Sequence, residues 1–384
     1  MDTKYLIVGG GMTADAAVKG IREHDADGSI VLVGAEPHPP YKRPPLTKGL
    51  WSGGDEAKIW KNTADAGAEV ILGRRIVALD LAARRATDDQ GDDYAYEKLL
   101  LATGGTPRRL GGGDDQVIYY RTLDDFRKLK QITEGGANVV VIGAGFIGSE
   151  LAASLTSAGA KVTMVFPEAG VTSRVLPAGL ARFVAEYFRE KGVEMLSEDT
   201  VASVEGTTVH TGSGRTLEAD AIVAGLGIVP NVELAEAAGL PVDNGIVVDQ
   251  YGRVDGRDDV FAAGDVANYP NLVLGGRFRV EHEDHANTHG RFVGANMAGA
   301  NQPYDHLPLF YSDLFDLGYE AVGEVDSRLA TVETWEEPNH KGTIAYVDDA
   351  GRPRGFLLWN VWDKVDAARE LIRAGEPVGE GALV

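Results

Sequence analysis

Asn138-Val139-Val140-Val141-Ile142-Gly143-Ala144-Gly145-Phe146-Ile147-Gly148-Ser149-Glu150 is an apolar run that ends in three glycines spaced G-x-G-x-x-G. Its length and β-branched content predict a buried strand. The spacing predicts a helix from Ser149 to about Ser157, and Lys161 to Phe166 then reads as a second strand. About 130 residues earlier the same grammar appears: strand Lys4 to Val8, then Gly9-Gly10-Gly11-Met12-Thr13-Ala14, a helix to about Arg22, and a strand from Ile30 to Val33. One glycine turn of this kind is weak evidence. Two, each between an apolar strand and a helix, predict two Rossmann-like dinucleotide-binding units.

The physical requirement is the same at both turns. A dinucleotide pyrophosphate carries about two negative charges, and the unpaired N–H groups and positive dipole end of a helix receive it only where no side chain blocks the approach. Gly9 and Gly11 in the first copy, and Gly143, Gly145 and Gly148 in the second, provide that clearance, with Ile147 between them. Ala14 takes the third place of the first motif, where close helix–strand packing accepts alanine.

Further blocks lie outward from these turns. Lys98 to Leu101 is a strand running into Ala102-Thr103-Gly104-Gly105, and Ala221 to Gly227 repeats the design before Pro230-Asn231. Asp259 to Ala263 is a short buried strand that ends in Gly264-Asp265. Leu307 to Val325 and Gly342 to Val361 alternate as antiparallel strands do, and Asp363 to Ala374 closes as an amphipathic helix. That last part is a third, α+β domain without a glycine motif.

With 44% hydrophobic and 25% charged residues, the 384-residue chain has enough apolar material for two or three cored domains. A formal charge of −21 opposes binding to nucleic acid and to anionic lipid. No apolar run approaches the roughly 20 residues of a membrane span, and Met1 to Gly9 enters a strand directly, which sets a cytoplasmic expectation. The chain has no cysteine, so thiol, disulfide and metal–thiolate chemistry are absent and redox chemistry must belong to a bound group. His282, His285 and His289 stand at a spacing that could in principle place them along one helix face as metal ligands, but the expected fold gives this segment another job and no metal is expected.

Four stretches carry a specific resemblance: Pro40-Tyr41-Lys42-Arg43-Pro44-Pro45-Leu46-Thr47-Lys48; Gly145 to Glu150; Val280-Glu281-His282-Glu283-Asp284-His285-Ala286; and Phe310-Tyr311-Ser312-Asp313 with Leu317-Gly318-Tyr319-Glu320-Ala321. On these the chain resembles the flavoprotein pyridine-nucleotide oxidoreductases, within them the branch of apoptosis-inducing factor and the oxygenase-coupled NADH:ferredoxin reductases. The resemblance implies an α/β fold of glutathione-reductase-like architecture. It has a discontinuous FAD domain (1–115 and 235–303), an NAD domain (116–234) and a C-terminal α+β domain (304–384).

The same resemblance implies roles. Lys48 sits beside the flavin N5, paired with Glu150, which reaches toward the nicotinamide amide. Phe146 shields the nicotinamide side of the flavin, with core packing as the alternative. Arg43 runs along the ribityl or pyrophosphate part of FAD, and Asp265, after Gly264, meets the ribityl chain. Glu36 holds the adenine ribose alone, because Ala35 stands where relatives often carry a second acid. Glu168, about 20 residues beyond Gly148, accepts from the NAD ribose and favours NADH, with Arg174 nearby as a competing influence. A helix from Glu281 to Ala298 aims its N-terminus at the flavin, with His282 against the ring. Tyr311 replaces the family's usual tryptophan. Ala102, Thr103, Gly104 and Gly227 complete the dinucleotide contacts.

NADH is then the donor, and the acceptor is a ferredoxin, rubredoxin, cytochrome, quinone or oxygen. A homodimer is compatible with the family. The acidity disfavours an acidic ferredoxin unless Arg108-Arg109, or Lys364, Arg369 and Arg373, form a local basic patch. The alternative is a slow redox sensor or assembly factor that keeps a long-lived complex of reduced flavin and NAD.

Overall fold

The computed structural model describes residues 1–111 and 115–383; residues 112–114, next to the expected boundary between the first two domains, and 384 lie outside it. The chain divides into two compact units. The first comprises Met1–Lys42, Glu56–Thr106 and Val229–Pro308, and the second Arg43–Asp55, Pro107–Ile228 and Leu309 onward. Three helices position the functional residues: α1 (Met12–Arg22), α2 (Phe146–Ser157) and α3 (Glu283–Met297).

In the first unit, strand Asp2–Val8 lies between Ile30–Gly34 and Asp93–Leu101, parallel to both. The far edge of the long strand Asp93–Leu101 is shared. Its first half pairs antiparallel with Arg85–Asp88, and its last three residues pair parallel with Val260–Ala262. These strands are apolar on both faces, with Leu6, Ile7, Leu99, Leu100 and Leu101 buried, as a sheet covered on two sides requires. The Val260–Ala262 pairing brings Gly264-Asp265 to the same sheet end as the first glycine turn.

Helix α3 crosses α1 with almost no side chain between them. A Cβ added at Gly290 would lie 2.4 Å from the Thr13 carbonyl oxygen, one at Gly294 2.2 Å from that of Ala17, and one at Gly20 1.9 Å from that of Arg291. Glycine at these three places lets the two backbones touch.

In the second unit, five parallel strands run in the order Glu194–Ser197, Lys161–Phe166, Asn138–Ile142, Ala221–Ala224, Val117–Tyr119. A five-stranded antiparallel sheet follows in the order Leu309–Leu314, Leu317–Gly323, Pro353–Trp359, Lys341–Val347, Ala330–Glu337, with the helix Val365–Ala374 after it. Some elements differ from expectation. Helix α2 starts at Phe146, because Gly145 is its N-cap. Helix α3 starts at Glu283, with His282 as N-cap. The strand Ala330–Glu337 falls outside both expected alternating stretches, its residues being half-buried or exposed at the sheet edge. No helix among the described residues is long and apolar enough to cross a membrane.

Candidate functional site

The first unit holds a cradle built by glycines. Gly9 has φ +127°, and a Cβ there would lie 2.1 Å from the Ala102 carbonyl oxygen, so only glycine fits. Gly11 is the N-cap of α1, makes no side-chain cap, and has open space where its Cβ would be. Uncapped N–H groups beside a clear space are what a pyrophosphate needs. Ala14 is fully buried at the close approach behind them. Asp15 in the first turn would repel phosphate, but it is buried and offset by Lys19 at 2.8 Å and Lys61 at 3.4 Å, with a hydrogen bond from Thr63 at 2.8 Å.

Around this cradle, Thr103 is tied to Asn231 by reciprocal bonds of 2.7 and 2.9 Å, and the Gly104 carbonyl accepts from the Asn231 N–H. Glu36 accepts from the Tyr41 hydroxyl at 2.7 Å, so its carboxylate is held without a second acid. Gly264 takes φ +75°, and a Cβ there would meet Thr13 Oγ1 at 2.2 Å. Arg279 binds the Asp265 carbonyl at 3.1 Å and the Glu281 carboxylate at 2.6 Å, which ties the carboxylate turn to the entrance of α3. Desolvation pushes the His282 imidazole down to about 4, against the opposing pull of Asp265 and Asp284, so near neutral pH it is an uncharged ring with one N–H to donate.

The three spaced histidines do not form a metal site. His285 and His289 are buried, His285 stacking on Tyr269 and His289 packing tilted against Tyr304, and no cluster of three potential ligands exists among the described residues.

The second unit repeats the cradle. Gly143 has φ +98° with Gly225 against it, a Cβ at Gly148 would lie 2.0 Å from the Gly143 carbonyl oxygen, and Gly145 caps α2 with open space beside it. Ile147 packs toward Gly225. Gly227 takes φ +80° in the loop after the neighbouring strand, and its carbonyl accepts from Arg108 N–H. Glu168 is half-buried just past the strand Lys161–Phe166, whereas Arg174 is exposed.

Beside this cradle lies a dense polar cluster. Glu150, on α2 and 6% exposed, receives Lys48 Nζ at 2.9 Å and the Ser312 hydroxyl at 2.7 Å on Oε1, and the Thr47 hydroxyl at 2.6 Å on Oε2. Lys48 also reaches Asp313 at 3.0 Å and lies over the Tyr311 ring, 4.7 Å from its centre. Phe146, the first residue of α2, meets Phe310 edge-on at 5.2 Å. Arg43 donates to the Arg121 carbonyl at 2.7 Å. The structure thus brings together Lys48, Glu150 and Tyr311, and adds Thr47, Ser312 and Asp313, to which the sequence assigned no role. Ser312 and Asp313 directly follow Tyr311 in a stretch that carries the resemblance, and that was their signal.

Residues 3–290 match the family described as "Pyridine nucleotide-disulphide oxidoreductase". The chain belongs to that family. Residues 293–354 of this oxidoreductase match "Apoptosis-inducing factor, mitochondrion-associated, C-term". It is 35% identical to Apoptosis-inducing factor 1, mitochondrial, of Dictyostelium discoideum, over 96% of this chain and 78% of the relative. It is also 35% identical to the anthranilate 1,2-dioxygenase system ferredoxin–NAD(+) reductase component of Burkholderia cepacia, over 97% of this chain and 94% of that one. Its fold matches the crystal structure of a covalent putidaredoxin reductase–putidaredoxin complex with a TM-score of 0.91 and 27% identity, covering 98% of this chain and 94% of that chain. The oxidoreductase is an NADH-dependent flavoprotein that uses FAD and NAD and passes electrons from NADH to a carrier or other acceptor. The disulphide of the family's description has no counterpart in a chain without cysteine.

Proposed function

We propose that this oxidoreductase reduces a one-electron iron–sulfur carrier of the ferredoxin class, and that Lys48 and Glu150 form its central pair. The observation that carries this reading is the bond of half-buried Lys48 to buried Glu150, which Thr47 and Ser312 hold, in a chain that holds no thiol to relay electrons. The near-complete overlap with a ferredoxin–NAD reductase supports the choice of acceptor. In this reading the glycine cradle of the first unit holds FAD, with Glu36, Asp265, Glu281 and His282 as further contacts. The cradle at Gly143 to Gly148 holds NADH, with Glu168 on its ribose.

Bound FAD would supply the redox chemistry here, the capacity to accept a hydride from NADH and release its two electrons singly. Lys48 supplies a fixed positive charge where reduction adds negative charge. Two of its three N–H donors go to Glu150 and Asp313, which leaves one to donate. Glu150 already accepts three hydrogen bonds, and a carboxylate accommodates about four, so one acceptor position is left for a carboxamide. Neither side chain must reorganise when the charge develops, which is the advantage of holding them in advance.

Stopped-flow reduction by NADH without oxygen, followed by mixing with a [2Fe–2S] ferredoxin, a rubredoxin, a cytochrome, a quinone or oxygen, tests the proposal. The ferredoxin is expected to reoxidise the protein fastest. A reduced, NAD-bound form that outlasts every acceptor would overturn it in favour of a redox sensor.

A further inference from the structure

One buried imidazole takes no part in the roles assigned so far. His289, 1% exposed on α3, lies among Tyr304, His285 and Tyr269 with ring centres 4.6, 4.7 and 5.2 Å away. Tyr304 is held in turn by the Thr288 hydroxyl at 2.9 Å, and Thr288 bonds back to the Asp284 carbonyl at 2.8 Å. The ring is therefore fixed by aromatic neighbours, with its Nδ1 directed at the Gly264 N–H, 3.3 Å away. A backbone N–H can only donate, so Nδ1 carries no proton and Nε2 does.

The next residue along α3 is Gly290, pressed against the Thr13 carbonyl, and the Thr13 hydroxyl lies where a Gly264 Cβ would be. His289 thus stands where the first glycine turn, helix α3 and the Gly264-Asp265 turn meet. The imidazole bond gives the Gly264 N–H a partner and holds Gly264 in its left-handed conformation, and with it the direction in which the Asp265 side chain leaves the backbone.

We infer that His289 is the positioning residue for Asp265, fixing through the Gly264 N–H the turn that presents this carboxylate to the FAD ribityl chain; the inference rests on the proposed role of Asp265. The residue acts through the backbone N–H of Gly264.

The test is the FAD dissociation constant of the full-length apoprotein, measured by flavin fluorescence. His289→Leu leaves a buried N–H without an acceptor and is expected to weaken FAD binding by roughly ten- to a hundred-fold. His289→Asn, whose Oδ1 falls near the position of Nδ1, is expected to restore most of the affinity. His289→Gln, whose amide falls near Nε2, is not. Equal affinities for the Asn and Gln proteins, or an unweakened Leu protein, would overturn the inference, and the Asn–Gln comparison decides even if the Leu chain does not fold. Asp265→Ala separates the two levels. Unchanged FAD affinity in that protein removes the role of Asp265 itself, whereas weakened binding there together with an unaffected Leu protein removes only His289.

Discussion

Replacing Gly290 with alanine sets two known effects against each other, and the geometry decides the sign. In an unconstrained helix the change from glycine to alanine stabilises by about 1 kcal/mol. At position 290 the new Cβ would start 2.4 Å from the Thr13 carbonyl oxygen, closer than the 3.0 Å that real Cβ atoms respect. Because that oxygen belongs to the backbone of α1, it has no rotamer by which to escape, and α3 must retreat by about 0.6 Å or more. Overpacking of this kind costs about 1–3 kcal/mol, so the net expectation is a loss of up to about 2 kcal/mol where propensity alone promises a gain of about 1. The retreat also draws His289 from Gly264, a bond that at 3.3 Å has little slack. Gly179 is the control: it is helical, and its Cβ would meet nothing within 4 Å. Thermal unfolding followed by circular dichroism, with flavin release read by fluorescence in the same ramp, should show a lower midpoint for Gly290→Ala by roughly 2 °C per kcal/mol, with early flavin release. Gly179→Ala should raise it. A Gly290→Ala protein as stabilised as Gly179→Ala, with its flavin retained, would refute the close-crossing argument.

Lys48→Ala should slow reduction by NADH by about tenfold or more while FAD stays bound; unchanged stopped-flow rates would remove Lys48 from the chemistry. Glu168→Ala should erode the preference for NADH over NADPH in kcat/KM, and an unaltered ratio would shift attention to Arg174. Burial, with like-charge repulsion from His306 and, for His285, also from His289 and His282, drives the imidazole of His289 down to about 3 and that of His285 well below its usual range. The unfolded chain therefore binds protons that the folded one refuses: this stability is complete above about pH 6.5 and is lost as pH falls toward the folded values, at up to about 1.4 kcal/mol per pH unit for each ring. Unfolding midpoints recorded from pH 7.5 to 5 should fall accordingly, and a profile as steep in the double variant His285→Phe/His289→Asn would show the cause to lie elsewhere.

The apolar strands, the two glycine turns and the helices after them were legible in the sequence because they are local: Gly9, Gly11, Gly143, Gly145 and Gly148 act on a few neighbouring dihedrals and on the next helix start. The absence of cysteine was equally plain, and it alone assigned the redox chemistry to a bound group. The partners of Glu150 were not legible to the same degree. The Lys48 pairing was an implication of family resemblance, and Thr47 and Ser312, though inside stretches that carry the resemblance, were given no role, since residues 47, 150 and 312 meet only after the second unit has folded. The spaced histidines show the converse. His285 and His289 do lie on α3, with His282 just before it as N-cap, but a metal site needs three ligand side chains to converge, and tertiary packing instead buried the two helical rings among tyrosines. The glycines at 20, 290 and 294 were visible as letters, yet nothing local says which helix will press against them. Backbone conformation is encoded over a few residues, whereas a close crossing or a buried ion pair exists only once distant segments exclude the same water, and that is where the sequence's own determination ended and the tertiary structure decided.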